Sequence, residues 1–298
     1  MTATITVLPS GHQFTVEEGE TILEAALRAG LSLDYHCNNG TCGKCIARVS
    51  AGEPPEQLPH DYLMKAEDQR SGAILLCRAL ARSDLVIEAA EARNPQDIPS
   101  QRLGTTVYKM ELPTEDVMVL QLRTPRSNTL RFLAGQYVTL HLGEQRPRSK
   151  SIASCPCNGM FLHFHIRRVP GDSFSDFVFR ELKPRQKVMI EGPFGDFVLD
   201  DESRRPLIFV AFETGFAPIK SLIEHAVSLE LPQPMRLYWI VQARGDHYLL
   251  NLCRAWQDVL DDFEFKALVG GQLDIRGREA LAELGLDWNH LSSAERGM

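Results

Sequence analysis

Residues 34–46 read DYHCNNGTCGKCI, and this stretch limits what the chain can become more than any other part of it. Cys37, Cys42 and Cys45 stand in a C-x4-C-x2-C spacing inside a glycine-rich loop, and Cys77 follows after a gap of 31 residues, in ILLCRAL. Seven cysteines are an odd number in a chain whose N-terminus, MTATITVLPSG, has neither a basic start nor an apolar signal core. A disulfide framework is therefore not expected, and metal-bound or reduced, buried thiols are. Zinc sites usually draw on two C-x2-C pairs, and here there is one. Cys155, Cys157 and Cys253 lie outside the pattern and read as small packing residues, with Cys155-Pro156-Cys157 as a redox pair the lesser alternative.

The spacing of the four thiols is the one that holds a [2Fe–2S] cluster. Two ferric ions and two sulfides bound by four thiolates carry net negative charge in a largely dry loop. That charge needs backbone N–H groups aimed at the sulfurs. Gly40 and Gly43 let the chain wrap closely with positive φ, and the small Thr41 keeps the amides open to the cluster. His36, beside a ligand, reads as a solvent-facing loop residue. Segment 1–93 as a whole resembles plant-type ferredoxin domains, an α+β fold. TITVLP and HQFTV read as a hairpin, and ETILEAALRAG as a helix with a Thr21/Glu24 capping box and Gly30 at its end.

A polar stretch with two prolines, 91–101, reads as a linker. From 102 to 200, GTTVYKMEL, VMVLQLR, GQYVTLHL, FLHFHIRRV and KVMIEG alternate apolar and polar residues between turns, which predicts an antiparallel β-barrel. From 201 to 298 strands and helices alternate, which predicts a parallel α/β sheet. PLIFVAF reads as a strand buried on both faces. No apolar run reaches the length of a membrane span. The net charge of −7 argues against a nucleic-acid binder, and a cytoplasmic protein is expected. Residues 1–93 hold 13 acids and 8 bases, 94–200 hold 11 and 14, and 201–298 hold 15 and 10. A basic middle between acidic ends suits an anionic ligand.

Five separated stretches in one order, FLAGQYVTL, RSKSIAS, RVPGDSFSDFVF, EGPFGDF and FETGFAPIKSLIEHA, resemble the ferredoxin–NADP reductase superfamily. The whole chain resembles the reductase components of bacterial oxygenases. The resemblance implies a ferredoxin domain (1–93), an FAD-binding-type barrel (102–200) and an NAD(P)-binding-like α/β domain (201–298), degenerate and shortened. It implies that a hydride from NAD(P)H reaches FAD and that single electrons pass through the cluster to a protein partner. By the same resemblance Arg148 would bind FAD phosphate and Ser151 the ring edge, with Gly171 and Ser175 in the pyrophosphate turn. Thr214 and Gly215 would line the hydride-transfer site.

The departures from that family fall where cofactors touch. Lys150 replaces the tyrosine that stacks on the flavin, and an ammonium offers no such surface. Asp172 replaces a glycine where a dianion should sit, and a like-charge contact at ~4 Å with an effective dielectric of 20 costs about 4 kcal/mol before screening. Phe212 and Glu213 replace the paired glycines of the nucleotide loop. Phe212 fills space there, and the Glu213 carboxylate is expected to satisfy the helix dipole itself. A C-G-P-P-like turn after KALVGG is missing. These departures predict a [2Fe–2S] electron-transfer protein on a reductase-like scaffold, with NAD(P)H binding lost and FAD at even odds. The alternatives are an active NAD(P)H-dependent FAD/[2Fe–2S] reductase serving an oxygenase, and a redox-sensing regulatory subunit with an anion site at Arg148 and Lys150.

Overall fold

The structure, a computed structural model, describes residues 2–243 and 245–270. The chain forms two compact units, Met1–Ser203 with Ala217–Leu231, and Arg204–Phe216 with the residues from Pro232 onward.

The first unit opens with β1 (Ala3–Leu8), β2 (Gln13–Val16), α1 (Ile22–Arg28), β3 (Ile46–Gly52), β4 (Glu56–Gln57), α2 (Ala66–Arg70), β5 (Ala73–Leu75), β6 (Ala79–Leu80) and β7 (Leu85–Glu88). Five of these strands form one sheet in the order β2-β1-β7-β3-β5. The β1–β2 hairpin pairs Ala3 with Val16, and β7 lies parallel to β1. The capping box at the start of α1 is present. Thr21 Oγ1 accepts the Glu24 N–H at 3.3 Å and Glu24 Oε2 accepts the Thr21 N–H at 3.0 Å, an N-cap worth about 1 kcal/mol. Gly30, just past the C-cap, has φ 85°. The apolar face of α1, Ile22, Leu23, Ala25 and Ala26, is buried, and the helix packs on the short turn Leu76–Arg78 that carries Cys77.

The stretch 91–101 is not a loose linker. Glu91 makes a β-bridge with Leu33, the Ala92 N–H donates to Ser32 O at 2.8 Å, and Ile98 is buried with Leu133. Its two prolines and charges conceal two apolar side chains, Ala92 and Ile98, that find a core.

The barrel comprises β8 (Gln101–Thr114), β9 (Val117–Arg123), β10 (Tyr137–His141), β11 (Arg148–Ser151), β12 (Phe161–Arg167), α3 (Ser173–Arg180) and β13 (Lys187–Phe194). The ladder runs β11-β10-β13-β8-β9-β12 through antiparallel pairs. Just past β11, the Ala153 N–H donates to His163 O of β12 at 2.8 Å, so the sheet nearly closes on itself. Alternate residues point inward, and Phe132, Phe164, Leu120, Leu140 and Ile190 are almost wholly buried. Each such side chain contributes roughly 1.5–3 kcal/mol.

Among the described residues the second unit holds three parallel strands, β14 (Leu207–Phe212), β15 (Met235–Val241) and β16 (Phe263–Val269), with α5 (Leu250–Val259). Between β14 and β15 the chain forms α4 (Phe216–Ser228), which from Ala217 on belongs to the first unit. β15 is the central strand and is buried almost throughout. β14 corrects the sequence expectation: among the described residues it lies at the edge of the order β14-β15-β16, and Ile208 is 44% exposed. A continuous apolar run marks a strand buried on both faces only when neighbours flank it on both sides. The expected C-G-P-P region lies outside the described residues.

Candidate redox centre and cofactor cradles

The four thiols come together. The 34–46 segment has almost no regular structure, and it turns through left-handed φ at Asn38 (56°), Gly40 (78°) and Gly43 (73°). A Cβ on Gly40 would lie 2.6 Å from His60 Cβ, and one on Gly43 would lie 2.3 Å from the Tyr62 ring. Both conformation and space therefore require glycine. The Thr41 N–H points at Cys37 Sγ (3.4 Å), and the Lys44 N–H at Cys42 Sγ (3.5 Å). Cys45 Sγ and Cys77 Sγ lie 3.3 Å apart. Cys37, Cys45 and Cys77 are buried, while Cys42 is half-buried and His36 is exposed.

Burial pushes the Cys37 thiol up, but hydrogen bonds from Thr41 and the Asn39 and Thr41 amides outweigh it and hold it at about 6. A thiol-only donor set, inward amides and a glycine cradle fit a two-iron cluster. Among the described residues no three His, Cys, Asp or Glu gather closely enough for a single metal ion. A bridged pair of irons draws on ligands spread more widely.

The segment 59–65 closes over this loop, and the sequence patterns do not reveal it. The Tyr62 N–H donates to Gly40 O at 3.0 Å, and Arg78 donates twice to Pro59 O, at 2.8 and 3.1 Å. Leu63 beside them is 91% exposed. The loop is also fastened to the barrel. Asn38 Nδ2 donates to Thr129 Oγ1 at 3.2 Å, and Arg131 pairs with Asp34 at 2.8 Å and donates to Ser32 O at 2.9 Å. Tyr35 is buried at this junction, and that burial raises its phenol. Cys77, Asn38 and Cys157 share the wall of one cavity of about 420 Å³. The turn Pro156–Asn158 brings the Cys155 and Cys157 sulfurs together across Pro156, the juxtaposition that the redox-pair alternative calls for. Cys253 is a buried core residue, as expected.

The barrel gathers Arg148, Lys150, Gly171, Asp172 and Ser175 in one place. Asp172 caps α3: its Oδ2 accepts the Ser175 N–H at 2.9 Å, while Oδ1 accepts from Arg148 Nη2 at 2.9 Å. Burial pushes the Asp172 carboxyl up, but the Ser175 N–H and the Arg148 guanidinium more than offset this and hold it below the ordinary carboxylate range. The Ser175 hydroxyl donates back to Val169 O at 3.2 Å. Lys150 Nζ lies 5.7 Å from the centre of the Phe174 ring, and burial lowers its ammonium. Gly171, at φ 80°, has open space where a Cβ would stand. Ser151 sits opposite Tyr137 in the β10–β11 ladder. Arg148, Ser151 and Gly171 suit a flavin nucleotide. The Asp172 carboxylate does not, because it stands on the donors a phosphate would use.

In the second unit Glu213 holds φ 50°, a left-handed value that glycine adopts freely and other residues rarely do. Its carbonyl accepts the Trp239 indole N–H at 3.0 Å, and its Oε1 accepts the Gln242 N–H at 2.8 Å. Its carboxylate thus takes a backbone N–H just past the end of β15. Phe212 packs against Ile240 of the neighbouring strand β15. Phe216 stacks on Trp239 with ring centres 4.1 Å apart. Gly215 is exposed with open space around it, and Thr214 is half-buried. The Glu213 carboxylate stands where a dinucleotide's phosphates ordinarily meet bare glycine backbone.

The profile of the "2Fe-2S iron-sulfur cluster binding domain" matches residues 5–82, and that of the "Oxidoreductase FAD-binding domain" matches residues 105–199. The CDP-6-deoxy-L-threo-D-glycero-4-hexulose-3-dehydrase reductase of Yersinia pseudotuberculosis is 33% identical over 271 residues, covering 91% of this chain and 81% of that protein. The chain belongs to the iron–sulfur and FAD-domain reductase components. Within that family, reductase component 1 of terephthalate 1,2-dioxygenase from Comamonas sp is 33% identical over 86% of this chain and 75% of its own. The crystal structure of the Amycolatopsis cytochrome P450 reductase GcoB superposes with a TM-score of 0.55 at 29% identity, covering 90% of this chain and 80% of that one. Like those reductase components, the chain is an electron-transfer oxidoreductase by family, with an FAD-type barrel and a plant-type ferredoxin domain. Among the described residues no helix is long and apolar enough to cross a membrane.

Proposed function

We propose that this chain is a one-electron carrier of the cytoplasm in which Cys37, Cys42, Cys45 and Cys77 hold a [2Fe–2S] cluster, and that its nicotinamide site is closed. Residues 1–93 form the cluster domain, 102–200 the flavin-type barrel and 201–298 an α/β domain that no longer serves NAD(P)H. Electrons leave toward a redox protein such as an oxygenase. The half-buried Cys42 and the exposed Leu63 lie on the surface about the cluster loop. The observation that carries the closed site is Glu213, whose side chain takes the Gln242 amide and whose backbone keeps a glycine-type φ.

The test is equilibrium binding of NADH and NADPH to anaerobically purified protein, followed by nicotinamide fluorescence, beside reduction of the cluster by dithionite. The expected result is a dithionite-reducible cluster with no binding of either nucleotide, and nucleotide binding regained in Glu213→Gly. Rapid bleaching of the cluster by stoichiometric NADH refutes the closed site. A second reading, an active NAD(P)H-dependent reductase, is favoured by the retained Arg148, Ser151, Thr214 and Gly215 and by the reductase names of the relatives.

A further inference from the structure

In the flavin cradle one guanidinium N–H and one helix-end amide already have an acceptor. A flavin dinucleotide brings a doubly charged pyrophosphate, which needs a guanidinium and helix-end amides. Here Arg148 Nη2 and the Ser175 N–H, one from β11 and one from the first turn of α3, both donate to the two oxygens of one carboxylate at 2.9 Å. The Asp172 carboxylate therefore bridges the same two kinds of donor that a phosphate would bridge. The Ser175 hydroxyl is committed as well, donating to Val169 O at 3.2 Å and accepting the Val169 N–H at 3.1 Å. The space in front of Gly171 stays open, so the cradle is closed by charge and not by bulk.

We propose that Asp172 is a built-in substitute for the flavin phosphate, so that the barrel takes FAD as an exchangeable ligand instead of keeping it as a resident group. An arriving pyrophosphate must displace the carboxylate from Arg148 and from the α3 N-terminus. Once displaced, the carboxylate remains tied to the adjacent backbone, a negative charge beside two more. Both effects oppose binding, and neither affects the isoalloxazine side of the site at Ser151. The substitution is also benign for the empty fold. The Arg148–Asp172 pair is 40% and 24% exposed, and the carboxylate gives α3 its N-cap, so the unliganded barrel is complete without flavin.

The experiment is a fluorescence titration of FAD into wild-type protein, Asp172→Asn and Asp172→Ser. Asn and Ser keep the N-cap while removing the charge, so the fold is expected to survive. Cluster absorption and far-UV circular dichroism report on it. FAD is expected to wash out of the wild type during gel filtration. Asp172→Asn is expected to bind it at least tenfold more tightly (about 1.4 kcal/mol), and Arg148→Ala in the Asp172→Asn background to abolish that gain. Wild-type protein that carries one FAD per chain through gel filtration overturns the proposal, whatever the variants do. So does an Asp172→Asn or Asp172→Ser protein that folds and binds FAD no better than wild type. The titration involves no nicotinamide, so it stands or falls apart from the closed site at Glu213.

Discussion

Replacing Gly43 by alanine should cost the cluster domain its cofactor, and the cost separates into two parts. Gly43 sits at φ 73°, where an L-residue pays roughly 1–2 kcal/mol for crowding against its own carbonyl. The new Cβ would also lie 2.3–2.7 Å from three atoms of the Tyr62 ring, Cε2, Cζ and Oη, far inside contact distance. Tyr62 is half-buried against the domain core, so expelling it forfeits roughly 1–2 kcal/mol of apolar burial. Gly43→Ala is thus expected to destabilise the holo-domain by roughly 2–4 kcal/mol, by adding the conformational cost of an L-residue here to the lost burial. The double variant Gly43→Ala/Tyr62→Ala should be no less stable than Gly43→Ala alone, because the burial of the ring is lost only once. The coupling between the two sites should then be roughly 1–2 kcal/mol and favourable. Urea unfolding followed by visible circular dichroism of the cluster, with iron and acid-labile sulfide counted per chain, measures both. A neutral Gly43→Ala, or strictly additive single and double variants, would refute the placing of Tyr62 over the loop.

Two further outcomes are expected. Burial, reinforced at His163 by the Lys220 charge, holds His163 and His225 at about 4, below the ordinary histidine value. Both remain neutral in the folded protein while the unfolded chain takes up protons, so stability should be complete above about pH 6.5 and fall as pH drops toward 4. His225→Gln should make the denaturant midpoint less sensitive to pH across that window, and an unchanged slope counts against the buried neutral imidazole. With 13 acids against 8 bases in residues 1–93, electron delivery from the reduced cluster to cytochrome c, a basic acceptor, should slow as salt rises from low to physiological strength. A rate indifferent to salt speaks against docking on the acidic domain.

The legible parts of this molecule were those written in local chemistry. Thr21 and Glu24 three residues apart specify a helix start wherever they occur, and the strict alternation in FLHFHIRRV fixes which face of β12 turns inward. The cysteine spacing marks the redox loop for the same reason, because the loop's shape is set by residues close in sequence. What escaped depended on distance. Pro59 and Tyr62 carry no periodicity, and only the folded chain brings them over Gly40 and Gly43. The stretch 91–101 looked loose because the partners of Ala92 and Ile98, Ser32 and Leu133, lie far away in sequence. Glu213 shows the same limit at the scale of one side chain. Its misfit in a nucleotide loop is visible in the letters, but its bond to the Gln242 N–H is not.

The bonds from Asn38 to Thr129 and from Arg131 to Asp34, together with the pinned stretch after Glu91, have a consequence for how current leaves the molecule. A carrier on a slack tether can swing between donor and acceptor, and lengthening the tether then changes its turnover. Here the carrier is held to the barrel at several points, an arrangement suited to a fixed carrier and not to a swinging one. Successive acceptors must come to one fixed port, leave, and make room for the next, and throughput is set by their traffic over that port rather than by any reach of the chain itself.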